Sequence, residues 1–206
     1  MYSVGLTSGI GCGKTLISKV FNTFGVPVFN SDKQAKELYK EKEFLDQVVH
    51  IFGNTIIEKG EFCPQKLADI VFNDNQALEK LNSLIHPKVL EKYKLWQSKQ
   101  TFPYTILESA IIFEIGWQNH FDRIINIETP IEIAIERVKL RDNISQDQVL
   151  QRINNQMPWQ TKKKLSDYNI YHDNNTMLLP QIIAIHENIL EQIKNGTVAY
   201  ELCRPY

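Results

Sequence analysis

Eight residues near the start of the chain, Ser8-Gly9-Ile10-Gly11-Cys12-Gly13-Lys14-Thr15, constrain it more than any other feature. They follow a short apolar run, Tyr2 to Thr7, and lead into a segment with helical spacing at Leu16, Ile17, Val20, Phe21 and Phe24, so the local order is strand, loop, helix. Glycines let successive backbone N–H groups turn inward without Cβ clashes, and the following helix points its positive end at the same place. The result is a polyphosphate cradle made largely of backbone. Lys14 then reaches the terminal phosphates, and the Thr15 hydroxyl is placed for Mg²⁺. Gly9, Gly11, Cys12, Gly13, Lys14, Thr15 and Leu16 are therefore the expected nucleotide-binding residues, with Lys14 also counted as catalytic. Ser8 stands where the full GxxxxGK[ST] signature has its first glycine; serine occupies turns, so the loop is expected to tolerate it.

The periodicity continues as a βαβα opening. Gly25 suits a helix C-cap, Val26 to Phe29 reads as a second strand, and Ser31 with Gln34 has the spacing of a capping box. From Lys36 to about Gln100 the texture changes to long, charged amphipathic segments, with turns expected at Glu58 to Pro64 and at His86-Pro87. Strand signals return at Tyr104 to Leu107 and Arg123 to Ile127, each followed by a helical segment, which favours a parallel sheet. Glu132 to Arg141 and Gln146 to Gln156 read as helices separated by a polar break, Tyr168 to Tyr171 as a last short strand, and Leu178 to Ile193 as a closing helix.

The bulk numbers exclude rather than identify. A chain of 206 residues, 43% hydrophobic and 23% charged, has the ordinary globular mix and length for one good core with an inserted subdomain. Its formal net charge of -1 lacks the footprint of a dedicated nucleic-acid binder. Cys12, Cys63 and Cys203 match neither a disulfide framework nor metal-ligand spacing and read as reduced thiols. With no signal peptide at the start and no run of transmembrane length, a cytoplasmic protein is expected. The oligomeric state is not legible.

A phosphate cradle alone does not separate kinases from switches and motors. No NKxD or DxxG segment is present, so the GTPase reading loses its further supports, and a motor needs more chain than this. A kinase needs an acceptor hydroxyl, a group to orient it, and positive charge that closes over the phosphates. Asp32, after the second predicted strand, lies at the carboxyl edge where open α/β folds bind ligands; it reads either as the group that takes the acceptor's proton or as a cap of the next helix. Arg137 and Arg141, four apart on one helical face, are either a pair of phosphate ligands or a solvated face balanced by Glu136 and Asp142. Arg152 and Gln156 are weaker candidates of the same kind. Glu108, ending a strand, either holds water around Mg²⁺ and orients the acceptor or is an ordinary strand-end carboxylate. Lys162, Lys163 and Lys164 read as solvated surface. His86 at its expected helix boundary reads first as a buried, hydrogen-bonded histidine.

Several separated motifs, in order and at matching spacing, make the chain similar to the dephospho-coenzyme A kinases. They are GLTSGIGCGKT, the segment Asn30-Ser31-Asp32, IFGNTIIEKGEF, KLADIVFNDNQALEKLNSLIHP, ESAIIFE from Glu108 to Glu114, FDRIINIETPIEIAIERVKLRDNIS, RINNQ and LSDYNI. The resemblance implies the α/β class, a P-loop NTPase of three αβα layers with a parallel sheet, a helical substrate-binding insert and a lid. It divides the chain into core at 1–34, insert at 35–100, core again at 101–136, lid at 137–160 and core at 161–206. It implies transfer of the γ-phosphate of ATP to the ribose 3′-hydroxyl of dephospho-CoA, with Mg²⁺, and neither nucleic acid nor membrane as partner. Asp32 is similar to the family's proposed catalytic aspartate, Arg137 and Arg141 to its lid arginines, and His86 and Glu108 are carried as substrate-side candidates.

The chain departs from the family pattern at four places: Ser8, Pro64 where an arginine is usual, Ala110 in a PLLFE-like segment, and YHDNN in place of IDNNG. A kinase for another small molecule, such as a nucleoside monophosphate, and a nucleotide-binding scaffold without catalysis are the alternatives at this point.

Overall fold

The computed structural model of the chain describes residues 1–202; Cys203 lies outside the described residues. In chain order the elements are β1 (Tyr2–Ser8), α1 (Lys14–Thr23), β2 (Val28–Asn30), α2 (Ser31–Leu38), α3 (Lys42–Phe52), β3 (Ile57–Glu58), β4 (Glu61–Phe62), α4 (Pro64–Asn73), α5 (Asn75–Gln97), β5 (Tyr104–Glu108), β6 (Arg123–Glu128), α6 (Ile131–Asp142), α7 (Gln146–Asn154), α8 (Trp159–Leu165), β7 (Tyr168–Tyr171) and α9 (Leu178–Leu202). They form two compact units, one comprising Met1–Phe29 and the chain from Gln100 onward, the other Asn30–Lys99.

The first unit is built on a five-stranded sheet in the order β2-β5-β1-β6-β7. β1 pairs in parallel with β5, Leu6 opposite Glu108, and with β6, Ser8 opposite Ile127; β6 pairs in parallel with β7, Ile127 opposite Ile170. Buried parallel strands read as continuous apolar runs because helices cover both faces. Val4, Leu6, Ile106, Ile125 and Ile170 are accordingly fully buried, each such side chain contributing about 1.5–3 kcal/mol. Ile182, Ile185 and Ile189 of α9 join Ile17 and Phe21 of α1 in this core. The C-terminus of α1 closes as a Schellman motif: Val26 N–H donates to the Phe21 carbonyl, Gly25 N–H to that of Asn22, and Gly25 takes φ +83°.

In the second unit α2 and α4 pack on α5. Two sequence expectations are corrected here. The helix boundary at His86-Pro87 does not exist: α5 runs 23 residues through Pro87, its buried face of Ala77, Leu81, Val89 and Tyr93 outweighing the donor that proline removes. The cap of α2 is Asn30, whose side chain accepts from Lys33 N–H at 2.8 Å, not a Ser31–Gln34 box; a capping box forms instead at α7, between Ser145 and Gln148. The turn expected near Glu58 is a two-residue hairpin loop, Lys59 (φ 52°) and Gly60 (φ 86°), between β3 and β4. Tyr39 stacks on Phe62 with ring centroids 4.6 Å apart, and burial pushes its phenol up to about 12.

Candidate active site

β1 delivers the chain at the carboxyl edge of the sheet, and residues 9–13 turn it into α1. The turn needs positive φ at Gly11 (81°) and Gly13 (86°). It also needs room: a Cβ on Gly11 would lie 2.5 Å from the Ala134 carbonyl oxygen, and one on Gly13 would lie 2.7 Å from the His172 ring. Ser8 is not among the residues with positive φ, which is why serine serves where the signature has glycine. Its hydroxyl donates to the Gly9 carbonyl at 2.8 Å and accepts from Lys14 Nζ at 3.3 Å. Thr15 and Leu16 are exposed on the first turn of α1. Cys12 is buried, and burial pushes its thiol up; it stays protonated and weakly reactive at neutral pH.

The loop's second half is held from β7 and α6. His172 accepts from Arg137 Nη2 through Nε2 at 3.1 Å and lies with Nδ1 3.0 Å from the Cys12 carbonyl. With Nδ1–H donating to Cys12 and Nε2 accepting from Arg137 Nη2, the other guanidinium nitrogen, Nη1, rests 3.3 Å from Nδ1 as a packing contact rather than a hydrogen bond. Arg137 also donates to the Gly11 carbonyl at 3.4 Å and to Asn174 Oδ1. Asn174 sits at φ 72°, in a turn where the backbone N–H groups of Thr176 and Asn175 hold the Asp173 carboxyl below the usual range.

Arg141, the other expected member of the pair, is not part of this cluster. It bonds Asp142 at 2.7 and 3.1 Å, and Arg152 bonds the same carboxylate at 2.6 Å. Glu108 is buried at the end of β5 and accepts from Ser18 Oγ of α1 at 2.8 Å. Asp32 is exposed in the first turn of α2 and is not the helix cap. His86 lies half-buried within α5, where burial lowers its pKa. Asp32 and His86 belong to the second unit and the cradle to the first.

The loop's first half borders a cavity of about 330 Å³ lined by Gly9, Ile10, Cys12, Thr129, Gln156 and Met157 among others. Gln156 Oε1 accepts from the Ile10 N–H at 2.8 Å. Lys162, expected on the surface, is fully buried and paired with Glu114 at 2.7 Å.

The dephospho-CoA kinase family model matches residues 2–179. This chain belongs to the dephospho-CoA kinase family. It is 31% identical to the dephospho-CoA kinase of Bacteroides fragilis over 92% of this chain and 94% of that one. Among solved structures, a Thermus thermophilus protein is 27% identical with a TM-score of 0.81, covering 93% of this chain and 97% of its own. The dephospho-CoA kinase from Campylobacter jejuni is 25% identical with a TM-score of 0.64, covering 91% and 96%. Family membership makes the chain an ATP-using kinase on the P-loop α/β fold, and the expected class and reaction both stand.

Of the residues that surround the cradle, sequence reasoning named Gly11, Gly13, Lys14 and Arg137, passed over His172, Asn174 and Ser18, and read Lys162 as solvated surface. A usable signal existed for the first two. They follow β7 at the same carboxyl edge that drew attention to Asp32 after β2.

Proposed function

We propose that this chain transfers the γ-phosphoryl group of ATP to the ribose 3′-hydroxyl of dephospho-CoA through the residues named here, giving CoA and ADP. The observation that carries the site assignment is the shared hold of Arg137 and His172 on the cradle carbonyls of Gly11 and Cys12. A guanidinium beside an open backbone cradle is suited to the charge that spreads over the equatorial oxygens during transfer. Lys14 contacts the terminal phosphates. Asp32 orients the hydroxyl and accepts its proton late, since a ribose hydroxyl is too weak an acid to ionise early.

Mg²⁺ fits the residues present. Among the described residues no group of three or more His, Cys, Asp or Glu side chains gathers into a cage, and Mg²⁺ is ordinarily held by one or two protein oxygens plus substrate phosphates and water. Thr15 would offer the hydroxyl, and Glu108, which accepts from Ser18, would hold a water of that shell. The ion would neutralise charge between the β- and γ-phosphates.

In this reading residues 35–100 are the substrate-binding insert and 137–160 the lid, with Arg141 and Arg152 brought to the phosphates only on closure. Arg141 belongs to the catalytic set on that condition alone. No described helix is long and apolar enough to cross a membrane; the free thiols Cys12 and Cys63 and the ATP requirement support a cytoplasmic location and small-molecule partners without nucleic acid.

The test is ADP formation by purified protein with Mg²⁺ and ATP, with and without dephospho-CoA, with adenosine monophosphate as a competing acceptor and Asp32→Asn as control. Strong dependence on dephospho-CoA, lost in the variant, is the expected result. ATP binding with no stimulation by dephospho-CoA would overturn the assignment.

A further inference from the structure

α8 carries the one described lysine that is fully buried. The Lys162 ammonium reaches Glu114 Oε1 at 2.7 Å, the Ala110 carbonyl at 2.7 Å and the Ser8 carbonyl at 3.4 Å, so its three donors have three acceptors. Buried ion pairs are poor stabilisers, because desolvation offsets much of their attraction. This one also leaves Glu114 Oε2 buried without a hydrogen-bond partner, an arrangement that stability alone does not favour. Glu114 Oε1 fastens the Met157 N–H as well, at 2.9 Å.

The same stretch of chain holds the cradle at a second point. Gln156 takes the Ile10 N–H, so Ser8 is held at its carbonyl and Ile10 at its amide from residues 156–162. A carbonyl is the backbone group that repels phosphate, and an N–H is the one that attracts it. Which of them the loop presents depends on the orientation of these first peptides. Ser8 further carries the hydroxyl that Lys14 touches, so a rotation at Ser8 moves the phosphate-binding amine too.

We propose that Lys162 and Gln156 are positioning residues of the phosphate site, setting the peptide orientations of Ser8 to Ile10 from the segment that follows α7. The inference rests on the reading of this loop as the ATP cradle. Lys162→Met alone would strand the Glu114 carboxylate, so the useful variants are Glu114→Gln combined with Lys162→Met, which removes both charges, and Gln156→Met, which removes one acceptor without touching a charge.

ATP affinity by calorimetry, the melting temperature, and the Michaelis constants for ATP and dephospho-CoA are measured on each variant. Positioning raises the ATP Kd and KM about tenfold in each, the loss expected when one hydrogen-bonded restraint is removed, while the KM for dephospho-CoA changes less than twofold. Folded variants that bind ATP like wild type overturn the proposal, including the case in which only the melting temperature falls. If the double variant does not fold, Gln156→Met decides alone, with the same two outcomes. Wild-type protein that binds no ATP would instead overturn the reading of the cradle, and this inference with it.

Discussion

Arg137 donates to His172 across 3.1 Å while His172 faces the Cys12 carbonyl at 3.0 Å, so one imidazole orients the guanidinium relative to the loop that cradles phosphate. A planar fork does this and an ammonium does not. Arg137→Lys is expected to lower kcat by about 10²–10³-fold, the usual loss when one preorganised charge donor is removed. Arg141→Lys is expected to cost less, since its partner is the neighbouring Asp142 on the exposed end of α6. Steady-state kinetics on the two variants check the order; equal losses would place both arginines on the transferred group.

Gly11→Ala puts a methyl 2.5 Å from a backbone oxygen that α6 holds in place and forces a left-handed φ on alanine. Both effects destabilise, the second by about 1–2 kcal/mol. The variant is expected to melt lower and to lose ATP binding. Gly9→Ala meets its nearest side-chain atom at an ordinary 3.5 Å and keeps both. Differential scanning calorimetry with and without ATP separates them.

Burial raises the pKa of Cys12 despite Lys14 and Arg137 nearby, and only the thiolate reacts. Modification of Cys12 by iodoacetamide at pH 7 is expected to be slower than that of the partly exposed Cys63, and ATP turnover is expected to survive brief peroxide treatment. Rapid alkylation of Cys12 in the native protein, mapped by mass spectrometry, would contradict the burial argument.

His186 stacks on Phe24 at 5.2 Å and shares a hydrogen bond through Nδ1 with the buried Tyr104 hydroxyl at 2.7 Å. Burial lowers its pKa, and that of His86. The sign follows from linkage: a histidine kept neutral by folding contributes stability that is fully present above its unfolded value of about 6.5 and lost as pH falls below it. The melting temperature is expected to be flat from pH 7 to 8 and to drop between pH 6.5 and 5. His186→Phe flattens that slope but strands the Tyr104 hydroxyl, at a cost of about 1–3 kcal/mol at neutral pH. An unchanged acid slope in the variant would assign it to other groups.

The sheet, its parallel sense and the phosphate cradle were legible because they are local. An apolar run, glycines at fixed offsets and a 3.6-residue period all lie within one stretch of chain, and each has a single cheap conformation. Asp32 and Glu108 became candidates for a related reason, since strand ends mark the ligand-binding edge of an open α/β sheet.

Helix continuity through Pro87 was not legible, because the apolar contacts that outweigh one lost donor come from α2 and α4, elsewhere in the chain. Lys162 illustrates the limit best. Three lysines in a row read alike in sequence, yet Lys162 is buried against Glu114, 48 positions away by subtraction of their numbers, while Lys163 pairs with Glu128 at 3.1 Å and its side chain is 53% exposed. Likewise nothing local distinguishes Arg137 from Arg141; only the return of the chain through β7, which brings His172 and Asn174 beside α6, does so. By itself the sequence determined the phosphate-binding strand–loop–helix, the order of the sheet-forming segments and, through the match of separated motifs, the family. Tertiary structure decided which charged side chains beyond Lys14 meet the cradle, because a charge takes its surroundings from the groups that pack against it, and those come from distant parts of the chain.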